Sequence, residues 1–189
     1  MTTFWWVRHG PTHQKTFVGW RDVPADLSDS AAIARLSDYL PNDALVISSD
    51  LVRSIATADA ITDQRQRLPH DPELREFNFG DWDGMAFSDV AEQYPDLSRA
   101  YWESPGDLAP PNGESWFDAE NRVNRAVRRL ANQYPNRNIV AVAHIGVIVT
   151  QIRLAKGLTT QQAIGHKIDN LSVTRIVLNG EVDPINHIP

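Results

Sequence analysis

The chain has 189 residues, with 18 Lys and Arg against 24 Asp and Glu for a net charge of −6. That length suits one domain, and the acidic balance excludes a protein that grips phosphate backbones or anionic lipid over its whole surface. The absence of cysteine excludes disulfides, thiolate metal sites and a cysteine nucleophile.

The opening Met1-Thr2-Thr3-Phe4-Trp5-Trp6-Val7 lacks the cationic start of a signal peptide and the length of a membrane span, so a cytoplasmic location is expected. Residues 4–7 form a short apolar run without alternation, and residues 44–47 and 139–143 read the same way. Such runs predict central parallel strands covered on both faces. Between the first two, Ser28 can cap a helix with Ile33, Leu36 and Leu40 on one face and Pro41 as its stop. A second helix is expected from about Asp50, with Leu51, Ile55, Ala58 and Ile61 or Thr62 as its apolar stripe.

Residues 69–111 are irregular, rich in Pro, Gly, Trp and acidic side chains, with helical pieces at 87–94 and 97–103. They read as an insertion, lid-like over the active site, within a single domain spanning 1–189. Ser115 and Asp118 have capping-box spacing and open a third helix, with Val123, Val127, Leu130 and Ala131 on one face as far as Pro135. A helix over 146–156 should end at Gly157. Residues 173–178, Asn179-Gly180 and 181 onward predict a hairpin with a type I′ turn, Pro184 marking an edge strand. This alternation gives an α/β fold with a mainly parallel central sheet.

Ligands of such sheets bind at the carboxyl ends of the strands. Arg8-His9-Gly10 leave the first strand there, Asp50-Leu51-Val52-Arg53 the second and His144-Ile145-Gly146 the third. Two arginines and two histidines thus converge on one sheet edge. Arginine is a planar, bidentate donor suited to phosphate oxygens, and Arg53 sits near a helix N-terminus that favours an anion. A neutral imidazole beside two arginines can accept a phosphoryl group covalently, and Gly10 lets the backbone come close to it.

The leaving oxygen then needs a proton. Glu76, among the apolar neighbours of Leu74-Arg75-Glu76-Phe77, is the candidate acid, with Asp81 and Asp83 as competitors. Positioning and charge neutralisation are available without a metal or cofactor. Lys15 and Arg21 in the first loop either hold a second anionic group of the substrate or belong to a solvated loop. Trp82 and Trp102 either stack on a substrate ring or pack the insertion. His13 with His9 and His144 is the alternative, a metal cluster. Arg122, Arg125 and Arg129 share one helical face and read as solvated. His70, His166 and His187 read as structural or exposed.

These residues resemble the histidine phosphatase superfamily, in particular its phosphoglycerate mutase-like branch. Arg8-His9-Gly10-Pro11-Thr12 is similar to the signature Arg-His-Gly-x-Thr, and Ser49-Asp50-Leu51-Val52-Arg53 with Thr57-Ala58 to a second motif. Glu76 with Gly80, Trp82 and Gly84 resembles the acid-bearing loop. Gly113-Glu114-Ser115, Arg122, Ala143-His144-Ile145-Gly146 and Asn170-Leu171-Ser172-Val173-Thr174 resemble later blocks, in order. The resemblance implies a three-layer α/β/α sandwich in which His9 becomes phosphohistidine. It further implies that Arg8, Arg53, His144 and Thr12 bind the phosphoryl group and that Glu76 protonates the leaving group. The chain departs from the pattern at Lys15, where many members have Asn. It departs again at Pro24-Ala25-Asp26-Leu27-Ser28-Asp29, which replaces Pro-Leu-Thr-x-x-Gly.

The expected function is a metal-independent phosphomonoester hydrolase that uses a phosphohistidine. The alternatives are mutase-type phosphoryl transfer, a metal-dependent hydrolase and a non-catalytic phospholigand-binding protein. The expected partner is a small phosphorylated metabolite, with no nucleic acid and no membrane, in a monomer or homodimer.

Overall fold

The computed structural model describes residues 1–189. Its sheet has the order β3-β2-β4-β1-β5, from strands β1 (Thr3–Arg8), β2 (Leu45–Ser48), β3 (Gln66–Arg67), β4 (Asn138–Ala143) and β5 (Val173–Val177). The first four are parallel, and β5 runs antiparallel to β1 at the edge. The apolar runs became strands because both sheet faces are covered, so neither residue parity can be polar. Phe4, Trp6, Leu45, Ile47, Ile139 and Ala141 face one layer, and Val7, Val46, Val140 and Val142 the other.

The second face is covered by α1 (Ser30–Tyr39) and α2 (Val52–Thr62), through Leu36, Leu40, Ala58 and Ile61. The first is covered by α5 (Trp116–Gln133) and α6 (Ile145–Lys156), through Val123, Val127, Leu130, Ile148 and Ile152. This is the expected three-layer sandwich. Asp29, not Ser28, caps α1, accepting from the Ala32 amide at 3.0 Å. The expected capping box of α5 forms, with Ser115 and Asp118 each accepting from the other's backbone. Gly157 closes α6 at φ 63°.

Three local expectations need correction. The buried stripe of α2 is Ser54, Ala58 and Ile61, with Arg53 and Thr57 also inward and Ile55 only half-buried. Leu51, Ala58 and Ile61 are buried as expected, and the buried arc widens to take in Arg53, which donates to the loop carbonyls of Gly19 and Arg21. The Asn179-Gly180 turn is not type I′: its closing hydrogen bond runs from Gly180 N–H to Val177 C=O at 2.9 Å, and only Asn179 has positive φ. The returning segment then touches β5 through two isolated bridges, Ile176 to Val182 and Val173 to His187, and not as a ladder. Two short elements, β3 and α7 (Thr160–Ile164), carry too few residues to leave a periodic signal.

Within residues 69–111 lie two 3₁₀ turns (Pro72–Leu74 and Gly80–Trp82), α3 (Phe87–Gln93) and α4 (Pro95–Glu103). Asn78 and Glu114 close this segment: the Glu114 N–H donates to the Asn78 carbonyl at 2.8 Å, and the Asn78 N–H to Glu114 Oε2 at 3.0 Å. Its apolar centre is Phe17, Trp82, Val90 and Tyr101, separate from the two sheet layers. No helix is long and apolar enough to cross a membrane.

Leu36 is fully buried between α1 and the sheet. Leu36→Ala is therefore expected to cost about 2–5 kcal/mol through lost transfer energy and a residual cavity. A urea-unfolding midpoint that stayed at the wild-type value would contradict that packing.

Candidate active site

The β1–β4 register sets Arg8 opposite Ala143, so His9 and His144 are the first residues beyond two adjacent strands. The His9 N–H still donates to the Ala143 carbonyl at 3.1 Å, and the two imidazoles lie 5.1 Å apart between centroids. The next block braces this pair: Asn170 Nδ2 donates to the His9 carbonyl at 2.8 Å, and the Leu171 N–H to the Arg8 carbonyl at 2.9 Å. A Cβ at Gly10 would lie 2.5 Å from Leu27 Cδ2, so a side chain there would displace that leucine. The Gly10 N–H donates to Thr57 Oγ1 at 2.9 Å, which ties the first loop to α2.

His9 Nδ1 lies 2.7 Å from the Gly10 carbonyl. A carbonyl can only accept, so Nδ1 carries the proton and Nε2 keeps its lone pair. Burial first, and then the Arg53 charge, push the His9 pKa down to about 3, so the ring is neutral near pH 7. His144 is completely buried and is likewise held neutral, by burial and then by Arg53. Its Nε2 meets Ser49 Oγ at 2.7 Å and Ser54 Oγ at 3.2 Å, while Nδ1 has no partner in the protein. A serine hydroxyl can donate to Nε2 or accept from it, so these contacts hold the ring in place with its proton on either nitrogen.

Arg53 is 1% exposed and is aimed by two backbone carbonyls, those of Gly19 at 2.6 Å and Arg21 at 3.0 Å. Arg8 is held by the Ile168 carbonyl at 2.6 Å, and its buried Nε has no partner. Glu76 is buried beside these cations. Its carboxylate accepts from the N–H of Phe77 at 2.9 Å and of Gly146 at 3.3 Å. Those amides and the two arginines favour the anion, yet burial is the larger effect and raises the carboxyl above its usual range.

Arg8, His9, Thr12, Arg53 and Glu76 line one cavity of about 400 Å³. His144 lies behind it, against His9. Other candidates fall elsewhere. Trp82 is fully buried against Phe17, Tyr94 and Tyr101 and does not reach the cavity, whereas Trp102 lines it. Lys15 is exposed and outside the lining. Arg21 is also outside it, donating to Thr16 Oγ1 at 2.9 Å and standing 3.8 Å from Asp83. Asp83 is occupied by the N–H groups of Gly19 and Arg21, and Asp81 by Asn112, so neither carboxylate competes with Glu76. His13 pairs with Asp26 at 2.8 Å on the surface, away from His9 and His144.

Arg122 corrects the solvated-face reading. It is buried, forks onto Glu114 with two 2.8 Å bonds, and donates to the carbonyls of Glu73, Arg75 and Glu76. The Trp20 indole N–H reaches the same Glu76 carbonyl at 2.8 Å, its ring stacked by the Arg75 and Arg122 guanidiniums. Helical spacing alone could not separate Arg122 from Arg125 and Arg129, which are exposed and pair with the carboxylates of Glu73 and Asp71. The nearby Glu114 was the available signal.

The sandwich, the paired histidines and the buried acid define a phosphoryl-transfer class of site. The chain belongs to the histidine phosphatase superfamily (branch 1), whose model matches residues 4–187. The bifunctional protein Rv2228c of Mycobacterium tuberculosis is 35% identical over 141 residues, covering 73% of this chain but only 36% of that longer protein. Glucosyl-3-phosphoglycerate phosphatase of Mycolicibacterium vanbaalenii is 33% identical, over 80% of this chain and 73% of that one. Among solved structures, Bacillus stearothermophilus YhfR shares the fold over 100% of this chain and 98% of its own, with TM-score 0.90 at 24% identity.

Because His9 has a folded pKa of about 3 against about 6.5 in an unfolded chain, the unfolded state takes up the proton first as pH falls. Stability contributed by neutral His9 is thus complete above pH ~6.5 and is lost progressively below it. The unfolding free energy is expected to decline between pH 7 and 5, and less steeply in His9→Asn. Parallel slopes in urea titrations would contradict this burial of a neutral ring.

Proposed function

We propose that the protein hydrolyses phosphomonoesters through a phosphohistidine on His9. The observation that carries this reading is the set of unfilled bonding positions around one neutral imidazole. His9 Nε2 holds a free lone pair, Arg8 Nε is a buried donor without a partner, and His144 Nδ1 is buried beside them without one. Buried donors are ordinarily satisfied, and a phosphoryl oxygen would satisfy Arg8 Nε.

The chemistry follows from the residues. Nε2 attacks phosphorus in line, the bond from phosphorus to the ester oxygen breaks, and the carboxyl proton of Glu76 passes to the departing oxygen. Arg8 and Arg53 neutralise the phosphoryl oxygens, with Thr12 at the cavity wall and His144 packed behind His9. Water then attacks the phosphohistidine, Glu76 takes its proton, and inorganic phosphate leaves with His9 restored. Burial raises the Glu76 carboxyl above its usual range, which favours the protonated form needed to give a proton to the departing oxygen. A small phosphorylated metabolite is the substrate this cavity suits, and α3 and α4 form the lid over it. The similarity to a named phosphatase from Mycolicibacterium vanbaalenii supports hydrolysis.

The test is p-nitrophenyl phosphate hydrolysis in excess chelator, with an acid-quenched search for an acid-labile, alkali-stable adduct. Wild type is expected to turn over and to trap phosphate on His9, and His9→Ala to lose about a thousandfold or more. Equal activity in both proteins, or activity abolished by the chelator, would overturn the assignment. Phosphate released to solvent, and not returned to an isomer of a bisphosphorylated substrate, separates hydrolysis from mutase-type transfer.

Gly146 offers a second check. A Cβ there would lie 2.4 Å from Glu76 Oε1 and 2.8 Å from the Phe77 ring. Gly146→Ala therefore pushes the carboxylate from its two amides, and kcat is expected to fall roughly tenfold or more. Unchanged kcat in the folded variant would remove Glu76 from the acid role.

A further inference from the structure

The cavity has a charged floor and uncharged walls. Its charge-bearing lining groups are Arg8, His9, Arg53 and Glu76, and no lysine or further arginine joins them. One wall presents neutral Thr12, Gln14 and Thr16. Much of the remainder is aromatic. Phe17 lies 4.4 Å from Phe87 and 6.1 Å from Trp102, nearly parallel to the latter at 18°, and Tyr101 meets Trp102 edge-on at 5.0 Å. Tyr101 stays protonated, its phenol pushed up by burial and then by the Glu76 charge. It can therefore donate but cannot add a negative charge.

This arrangement bears on what leaves with the ester oxygen. A second phosphate or a carboxylate on the leaving group would enter an apolar space with no cation to meet it, and a desolvated, unpaired anion is strongly disfavoured. The two cations nearest in sequence do not help, because Lys15 is outside the lining and Arg21 is tied to Thr16, Phe17 and Asp83. Conversely, Phe87 and Trp102 line the mouth while 57% and 42% exposed. A flat apolar group on the substrate would cover that surface and pack against the exposed ring faces. The cavity is continuous with the floor, so the phosphoryl group and such a ring fit one molecule.

We infer that the substrate is a phosphomonoester whose leaving group is uncharged and carries a flat, apolar or aromatic face seated against Phe17, Tyr101 and Trp102. This rests on the phosphatase reading and narrows it. Mono-esters bearing a second anion, such as phosphoglycerates and bisphosphates, are poor substrates on this reading.

The test compares esters of primary alcohols, so that leaving-group basicity stays nearly constant: benzyl phosphate, methyl phosphate, 3-phosphoglycerate and benzyl phosphate with a para-carboxylate. Benzyl phosphate is expected to exceed both carboxylated esters at least tenfold in kcat/KM. Trp102→Ala, checked for folding by circular dichroism, is expected to shrink the benzyl-over-methyl ratio about tenfold. Trp102→Arg is expected to raise the para-carboxylated ester relative to its neutral parent. Equal or preferred use of the carboxylated esters, or an unchanged benzyl-over-methyl ratio in Trp102→Ala, would overturn the inference while leaving a working phosphatase. Absence of His9-dependent turnover of every ester would overturn the phosphatase reading, and this inference with it.

Discussion

Parallel pairing of β1 with β4 is the constraint on which the site depends. The two strands share a register that ends at Arg8 and Ala143, and the residues immediately beyond are His9 and His144. Two imidazoles are thereby delivered side by side into a place walled by backbone and hydroxyls. Both are neutral there, because two arginines and the loss of water make a third positive charge too costly. The register thus sets the position of His9, burial beside Arg53 keeps it neutral, and the Gly10 carbonyl leaves the lone pair on Nε2.

A second set of contacts fixes the acid. Glu76 is not aimed by its own side chain's packing alone. Its carbonyl is gripped by Trp20 and Arg122, and its carboxylate by two amides from different segments. Arg122 serves as a hub, since its guanidinium also takes the carbonyls of Glu73 and Arg75 and pairs with Glu114. Trp20 sits between Gly19 and Arg21, whose carbonyls hold Arg53. Arg53 and Glu76 are consequently positioned by one three-residue stretch of loop.

Much of this was legible in the sequence, for definite reasons. Strands buried on both faces must be apolar throughout, so β1, β2 and β4 announce themselves, and the residues that follow them mark the ligand edge. The capping box at Ser115 and the glycine closing α6 are local chemistry and survive folding unchanged. What failed was whatever depends on distant partners. The Asn179-Gly180 pair favours one turn, but the pairing of Val177 with Glu181 selected another. Trp82 and Trp102 are alike in composition and neighbourhood, and only packing shows that one is interior and the other faces the cavity. Arg122 looked like its helical companions because its partners lie in three other segments.

The closure between Asn78 and Glu114 separates two inheritances within one chain. Arg8, His9, Arg53, Glu76 and His144 all lie outside the segment between them. Phe87, Tyr101 and Trp102 lie inside it, beside a small apolar centre that takes only Phe17 from the first loop. Lengthening a loop whose ends are already joined costs little, because closure entropy grows only with the logarithm of length. The segment is therefore an exchangeable cassette. A chain with this floor could acquire a new clientele by replacing α3 and α4 while its reaction centre kept the same coordinates.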